Sequence, residues 1–337
     1  MLKKLLKVKL RNALYKLGLF GSIHHFRNRR TLTTFMFHRV LPASSWAYEL
    51  SDKEFTFTVE GFGHCLDFIQ RHYNPVSSRD IAEAICGHGT LPDRAALISF
   101  DDGWADTINY AVPELKCRGL SGVIFIASSV LESQTDQWWQ DTLVGVQTSD
   151  IQARDLALAL GVQPEIAVCP GQVRDHVMAC ALAVLDESSR TAILGKFAKD
   201  VETGRQMVRH DDLETVDRSV LSLGAHGHTH APLCNVQNSI AELQTSFDEI
   251  KGIGGEPCMS YPHGSYNARL TEEAKQVGFV SIFTSDPLLT DTKNTLLGAG
   301  ALGRIHVPEN QWTCQHGKIS FPMLATFLFF RSIAAPD

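Results

Sequence analysis

Short apolar, often β-branched runs alternate with helix-periodic stretches along most of the chain. Six such runs predict strands, at 32–37, 95–100, 123–127, 221–225, 258–261 and 280–284. Between them, residues 59–73, 78–86, 104–118, 240–250 and 268–276 carry the 3.6-residue apolar spacing of helices packed on one face. The last of these is well punctuated. Asn267 can cap its start, Glu272 and Glu273 lie near its positive end, and Gly278 follows its end. Strand and helix in alternation favour an α/β fold. The stretch 131–220 breaks the alternation. It is largely helical in pattern, opens with Trp138 and Trp139, and reads as an insertion between core strands that serves as a lid, a partner surface or a stabilising excrescence.

The N-terminus has its own pattern. Leu2, Leu5, Leu6, Leu10, Ala13, Leu14 and Leu17 form a helical stripe, with Lys3, Lys4, Lys7, Arg11 and Lys16 largely opposite. Lys7, Lys9 and Arg11 interrupt the apolar run and no small-residue cleavage site follows, so a signal peptide is not expected and the expected location is cytoplasmic. Two readings remain for this helix. One is peripheral contact of residues 1–19 with the inner face of an anionic membrane, and the other is packing on its own domain with the lysines in solvent. No segment is long and apolar enough to span a bilayer.

Length and composition change this picture little, but charge does. The 337 residues, 44% hydrophobic and 20% charged, describe a globular protein with room for a large core. Residues 1–48 hold ten Lys/Arg and no acid, so all 37 acidic residues lie in the remainder, against 21 of the 31 basic ones. An acidic body argues against nucleic acid as a partner. The eight cysteines form no Cys-x-x-Cys pair, which excludes a zinc ribbon, and most are expected to be small buried thiols, as in the apolar run around Cys180.

Chemistry is concentrated at two places. Asp101-Asp102-Gly103 ends the apolar run 95–100, and His226-Gly227-His228-Thr229-His230 ends the run 221–225. One carboxylate and two imidazoles can hold a divalent ion with a position left open for water, and a second carboxylate is then free to take that water's proton. Both motifs fall at the C-terminal ends of strands, where α/β sheets and barrels bind ligands. A strand continuing past 225 would pair His226 with His228, whereas a turn would pair His226 with His230.

Together these blocks resemble a known family. S-F-D-D-G with its following helix, the strand G-V-I-F-I-A, then H-G-H-T-H-A-P-L and S-Y-P-H-G-S-Y-N, are similar in order and spacing to the polysaccharide deacetylase (NodB-homology) family of carbohydrate esterases. The opening strand F-M-F-H-R-V resembles that family's Tyr-His-Arg strand. The resemblance covers residues 31–128 and 218–307. It implies a distorted (β/α) barrel of about seven strands, spanning 31–310, with the helical insertion at 131–220. Residues 1–30 then form a basic N-terminal helix and 311–337 a C-terminal tail. It also implies one divalent metal, usually Zn2+, with Co2+ or Ni2+ as alternatives. Asp102, His226 and His230 would be its ligands and Asp101 the general base, while His228 would shape the site or contact substrate. The His263 backbone N–H would stabilise the oxyanion. His38 is preferred over His306 as general acid.

Three departures from the family pattern stand out. Gly227 replaces the usual Ser or Thr after the first histidine. His263 stands where the family usually has a tyrosine after the proline. Ser260 occupies the place of an arginine that normally steadies the catalytic aspartate, a charge that Arg304 can supply from another strand. The activity implied is removal of an acyl group, most often acetyl, from an amino sugar in a polysaccharide, a lipid-linked saccharide or a glycan precursor. The rivals are a deformylase or small-amide hydrolase of the same fold, and a catalytically silent metal-holding domain that binds saccharide.

Overall fold

The computed structural model describes residues 2–132, 138–169, 171–197, 205–293, 300–313 and 318–334. Its strands are β1 (Thr31–Phe37), β2 (Arg39–Leu41), β3 (Thr56–Thr58), β4 (Asn74–Pro75), β5 (Ala95–Phe100), β6 (Gly122–Ile126), β7 (Leu221–Ala225), β8 (Cys258–Ser260), β9 (Ser281–Phe283), β10 (Thr290–Asp291) and β11 (Ile305–His306). β1, β5, β6, β7, β8 and β9 pair in parallel in that order. The segment carrying β11 completes the ring. Leu302 exchanges backbone hydrogen bonds with β9, and three residues on, Ile305 and His306 pair in parallel with Phe35 and Met36 of β1. The result is a seven-stave distorted (β/α) barrel, as the strand pattern and the resemblance imply.

Both faces of β1 and β5 are fully covered, and the only polar side chains they carry are the small hydroxyls of Thr31, Thr33, Thr34 and Ser99. Phe37 packs edge-on against Phe57 and Phe62, both 5.2 Å away between centroids, and joins strands to the helix Val59–His72. Gly224 of β7 allows the close approach of its neighbours: a Cβ there would lie 2.6 Å from the Phe125 ring and 2.8 Å from Cys258 Sγ. Gly224→Ala is therefore expected to destabilise the fold by about 1–3 kcal/mol through overpacking, measured by denaturant unfolding.

The expected helices are present, with one irregularity. The stretch 104–118 contains a π-helical turn, Thr107–Ala111, before the regular helix Val112–Cys117. Such wide turns cluster near functional sites, and this one follows Asp101 and Asp102 directly. Asn267 caps Ala268–Val277 by accepting the Leu270 N–H, and Gly278 ends it with φ 123°.

Beyond the barrel, the helix Phe321–Leu328 follows, and Leu324, Ala325, Leu328 and Phe329 are fully buried in the main core. One expectation is corrected: most cysteines are not buried. Among the described residues Cys65 and Cys258 are buried, while Cys86, Cys117, Cys169, Cys180 and Cys234 are exposed. Cys180 shows the reason: on helix Gln172–Ala183 the buried face is taken by Met178 and Leu182, which leaves Cys180 outward despite its apolar neighbours. Cys314 lies outside the described residues.

The N-terminal helices Leu2–Lys16 and Leu19–Arg27 pack on the barrel through Phe20, Tyr15 and His24. His24 is neutral by design of its contacts: Nε2 donates to the His72 carbonyl at 3.1 Å, Nδ1 accepts from Asn28, and the ring stacks on Phe329 at 4.0 Å. Burial pushes its pKa down from 6.5 to about 3. The unfolded chain binds this proton from pH 6.5 downward and the folded one does not, so the contribution is intact above pH 6.5 and is lost progressively toward pH 3. His24→Phe is expected to flatten the fall in unfolding free energy between pH 7 and pH 4, within the range where histidine titrates.

The insertion folds around its own small core, in which Leu143, Val146, Leu156, Met178 and Leu182 meet. It sits over the C-terminal ends of the barrel strands.

Candidate metal centre and active site

Five of the strand ends at the mouth carry side chains that line one cavity. His38 follows β1, Asp101 and Asp102 follow β5, His226 follows β7, Tyr261 follows β8, and His306 closes β11. The backbone here is unusually strained. Among the described residues only four non-glycines have positive φ, and three of them are Asp102 (76°), His230 (59°) and His263 (56°). Conformations of this kind persist only where surrounding structure enforces them, and they concentrate at active sites.

Asp102, His226 and His230 converge, each buried, with one ligand atom apiece and all three atoms within 4.8 Å of one another. Asp102 Oδ1 lies 3.0 Å from His230 Nε2 and 3.4 Å from His226 Nε2. Their orientation is fixed from behind. Ser260 engages His226 Nδ1 through its carbonyl at 3.0 Å and its Oγ at 2.6 Å, which leaves Nε2 facing inward. Asp102 Oδ2 accepts from Trp104 Nε1 at 3.0 Å and from Gln140 Nε2 at 3.2 Å. Trp104 is in turn covered by Arg39, whose guanidinium stands 3.9 Å from the ring and is held by Asp106 at 2.7 Å. One carboxylate and two imidazoles, oriented by outer hydrogen bonds, fit a divalent ion with an open position. The chain turns sharply after β7, so His226 pairs with His230. His228 faces away, with Nδ1 3.0 Å from Ser128 Oγ and 3.4 Å from Glu249, and does not line the cavity.

The turn carrying these histidines lacks the family hydroxyl at Gly227, and a different residue steadies it. Glu242 Oε1 accepts the N–H of His228 at 3.0 Å, the N–H of Thr229 at 2.7 Å and the Thr229 hydroxyl at 2.9 Å. Gly227 itself has φ 70°, and a Cβ there would sit 3.1 Å from Pro262. Glu242→Ala is expected to weaken zinc binding by about 10–100-fold, the usual effect of losing a group that orients ligands, read by competition with a chromophoric chelator.

Asp101 stands beside the ligand set with a different environment. Arg304, fully buried, grips it with both terminal nitrogens, Nη1 to Oδ1 at 2.6 Å and Nη2 to Oδ2 at 2.7 Å. Burial alone would raise the Asp101 pKa, but the Arg304 and His226 charges and the Arg304 hydrogen bonds outweigh it and hold it at about 2. Ser260 Oγ adds a 3.3 Å contact to Oδ1.

Three further histidines border the cavity. His38 Nε2 is 4.0 Å from Asp101 Oδ2, and its Nδ1 is buried without a hydrogen-bond partner. His306 lies 6.0 Å from His38 between ring centroids, both its nitrogens lack hydrogen bonds, and burial together with His38 pushes its pKa down to about 4. His263 contacts the His230 carbonyl through Nε2 at 3.1 Å, and burial and His230 lower its pKa to about 3.

Several site residues escape a reading of motifs. Trp104 sits two residues past Asp102, close enough to have been suspected. Trp139, conspicuous in sequence beside Trp138, comes from the insertion, as do Gln140 and Arg190, which bear no local signal. Trp139 lies 5.9 Å from His230, and the buried Arg190 guanidinium stands 4.8 Å from the Trp139 ring, so the insertion is built onto the ligand cluster. Trp104, Trp139 and Gln140 line a cavity of about 470 Å3 that also takes in Asp102, His226 and His230.

The barrel and its mouth have counterparts among solved structures. The chain aligns with IcaB from Ammonifex degensii at TM-score 0.55 and 16% identity, covering 89% of this chain and 97% of that one. It aligns with a de-N-acetylase from Aggregatibacter actinomycetemcomitans at 0.54 and 17%, covering 83% and 95%. With the Streptococcus pyogenes deacetylase PplD, solved in complex with acetate, the values are 0.51 and 15%, covering 83% and 93%. No family model matches the chain, and no curated protein matches it. The likeness is one of architecture: the chain has the fold found in polysaccharide deacetylases such as BC0361 from Bacillus cereus.

Proposed function

We propose that this chain is a metal-dependent hydrolase of the polysaccharide deacetylase family that removes an N-acetyl group from an amino sugar. The observation that carries the reading is the pairing of two unlike carboxylates: Asp102 within 3.4 Å of both ligand histidines, and Asp101 gripped by Arg304 beside them. A divalent ion held by Asp102, His226 and His230 would supply Lewis-acid polarisation and lower the pKa of a water molecule. Asp101, kept ionised by Arg304, accepts that water's proton on a carboxylate oxygen. The His263 N–H, presented by a positive-φ turn at the mouth, donates to the developing oxyanion. His38 returns a proton to the leaving amine. Its Nε2 lies 4.0 Å from Asp101 Oδ2, whereas His306 Nε2 lies 3.7 Å from Glu54.

The test is acetate release from a panel of N-acetylated oligosaccharides, nucleotide sugars and lipid-linked sugars, with zinc-, cobalt- and nickel-loaded protein. Release that requires metal supports the reading. Full metal loading with no release from any member would favour the silent binding domain.

The N-terminal helices favour an anionic membrane as the place of action. Leu6, Leu10, Leu17 and Phe26 are 68, 59, 75 and 79% exposed, next to exposed Lys7, Lys9 and Lys16. No helix among the described residues is long and apolar enough to cross a membrane, so contact would be at the surface. Removing residues 1–19 should abolish co-sedimentation with phosphatidylglycerol vesicles, and unchanged sedimentation would contradict the idea.

A further inference from the structure

The cavity has two unlike walls. On the barrel side lie the carboxylates and histidines. On the insertion side helices Trp139–Val146 and Gln172–Ala183 present Leu143, Val144, Ala179 and Ala183. Phe55 joins the two walls: its ring is 4.8 Å from His38, 5.1 Å from His306 and 6.4 Å from His176 of the insertion. Apolar surface therefore reaches from the imidazoles proposed for proton transfer to the insertion, with Gln140 and Gln147 also on the lining. Polar groups at its edge are engaged with one another, His176 with Asp52 at 2.8 Å and Asp175 with Arg174 at 3.3 Å. Leu143 also belongs to the insertion's own core, so the wall is a packed helical surface. A volume of about 470 Å3 suits one bounded ligand.

We infer that this wall binds an aliphatic group attached to the amino sugar, so that the substrate is an N-acetylated sugar carrying an apolar aglycone. The inference rests on the deacetylase reading for its reaction but not for its binding contacts. Removing that aliphatic group from water against Leu143, Val144, Ala179 and Phe55 lowers KM, because the contact is made equally in ground and transition states.

The experiment uses zinc-loaded, full-length protein and the methyl, butyl and octyl glycosides of N-acetylglucosamine. kcat/KM for acetate release should rise by about 10-fold or more from methyl to butyl, at roughly threefold per buried methylene. Leu143→Gln and Ala179→Gln should both reduce the octyl-to-methyl ratio. A flat series, or an unchanged ratio in both variants, would overturn the inference and leave the deacetylase reading standing. Binding is measured separately with octyl glucoside below its micelle concentration, against methyl glucoside, through fluorescence of Trp139 and Trp104 at the cavity. Tighter binding of the octyl compound supports the apolar site even if no glycoside is hydrolysed. Equal binding of the two overturns it.

Discussion

Asp101→Asn should lower turnover by about 10²–10⁴-fold while leaving metal content unchanged, because it removes the proton acceptor and retains the shape and most hydrogen bonds of the side chain. The two carboxylates are adjacent in sequence, yet they meet different partners. Asp102 has both oxygens committed, Oδ1 to the histidines and Oδ2 to Trp104 and Gln140. Asp101 is turned toward Arg304 and Ser260. Metal analysis together with steady-state acetate release checks this. Full activity in the variant would remove Asp101 from its role, and loss of metal would place it among the ligands.

Arg304→Met should be the most destabilising of the site variants, by about 3–5 kcal/mol in denaturant unfolding, since it strands a buried carboxylate without its partner. It should also suppress turnover, because an uncompensated Asp101 is no longer held ionised by Arg304. Arg304→Lys cannot reproduce the two-pronged grip and should fall between. The double variant Asp101→Asn/Arg304→Met should be more stable than Arg304→Met alone, since it removes the stranded charge. Arg304→Met with wild-type stability would show that the ion pair is absent in solution.

Much of the barrel is legible in the sequence for a physical reason. Parallel strands covered on both faces, such as β1, β5 and β6, carry no charged side chain and only small hydroxyls among their apolar residues, and so stand out. β2, β3, β4, β10 and β11 are two or three residues long, and unlike the equally short β8 and β9, none lies within one of the six apolar runs. The closing of the barrel through Leu302–His306 was for that reason invisible in the pattern. At the site, motif order located the converging residues. Which histidine faces inward depended on the turn at Gly227, with φ 70°, which points His228 outward and brings His230 in. Arg304 was foreseeable as a charge missing from Ser260's position, although its two-pronged geometry was not. Glu242, Gln140 and Arg190 reach the site only through tertiary packing, so no local pattern marks them.

The most direct measurement is a zinc titration of metal-stripped protein followed by acetate release, run in parallel on wild type, Asp102→Ala and His230→Ala. Wild-type activity is expected to rise and saturate at one equivalent of zinc, with both variants failing to bind zinc tightly and remaining inactive. Acetate release that is independent of zinc, or that survives in either variant, would contradict it.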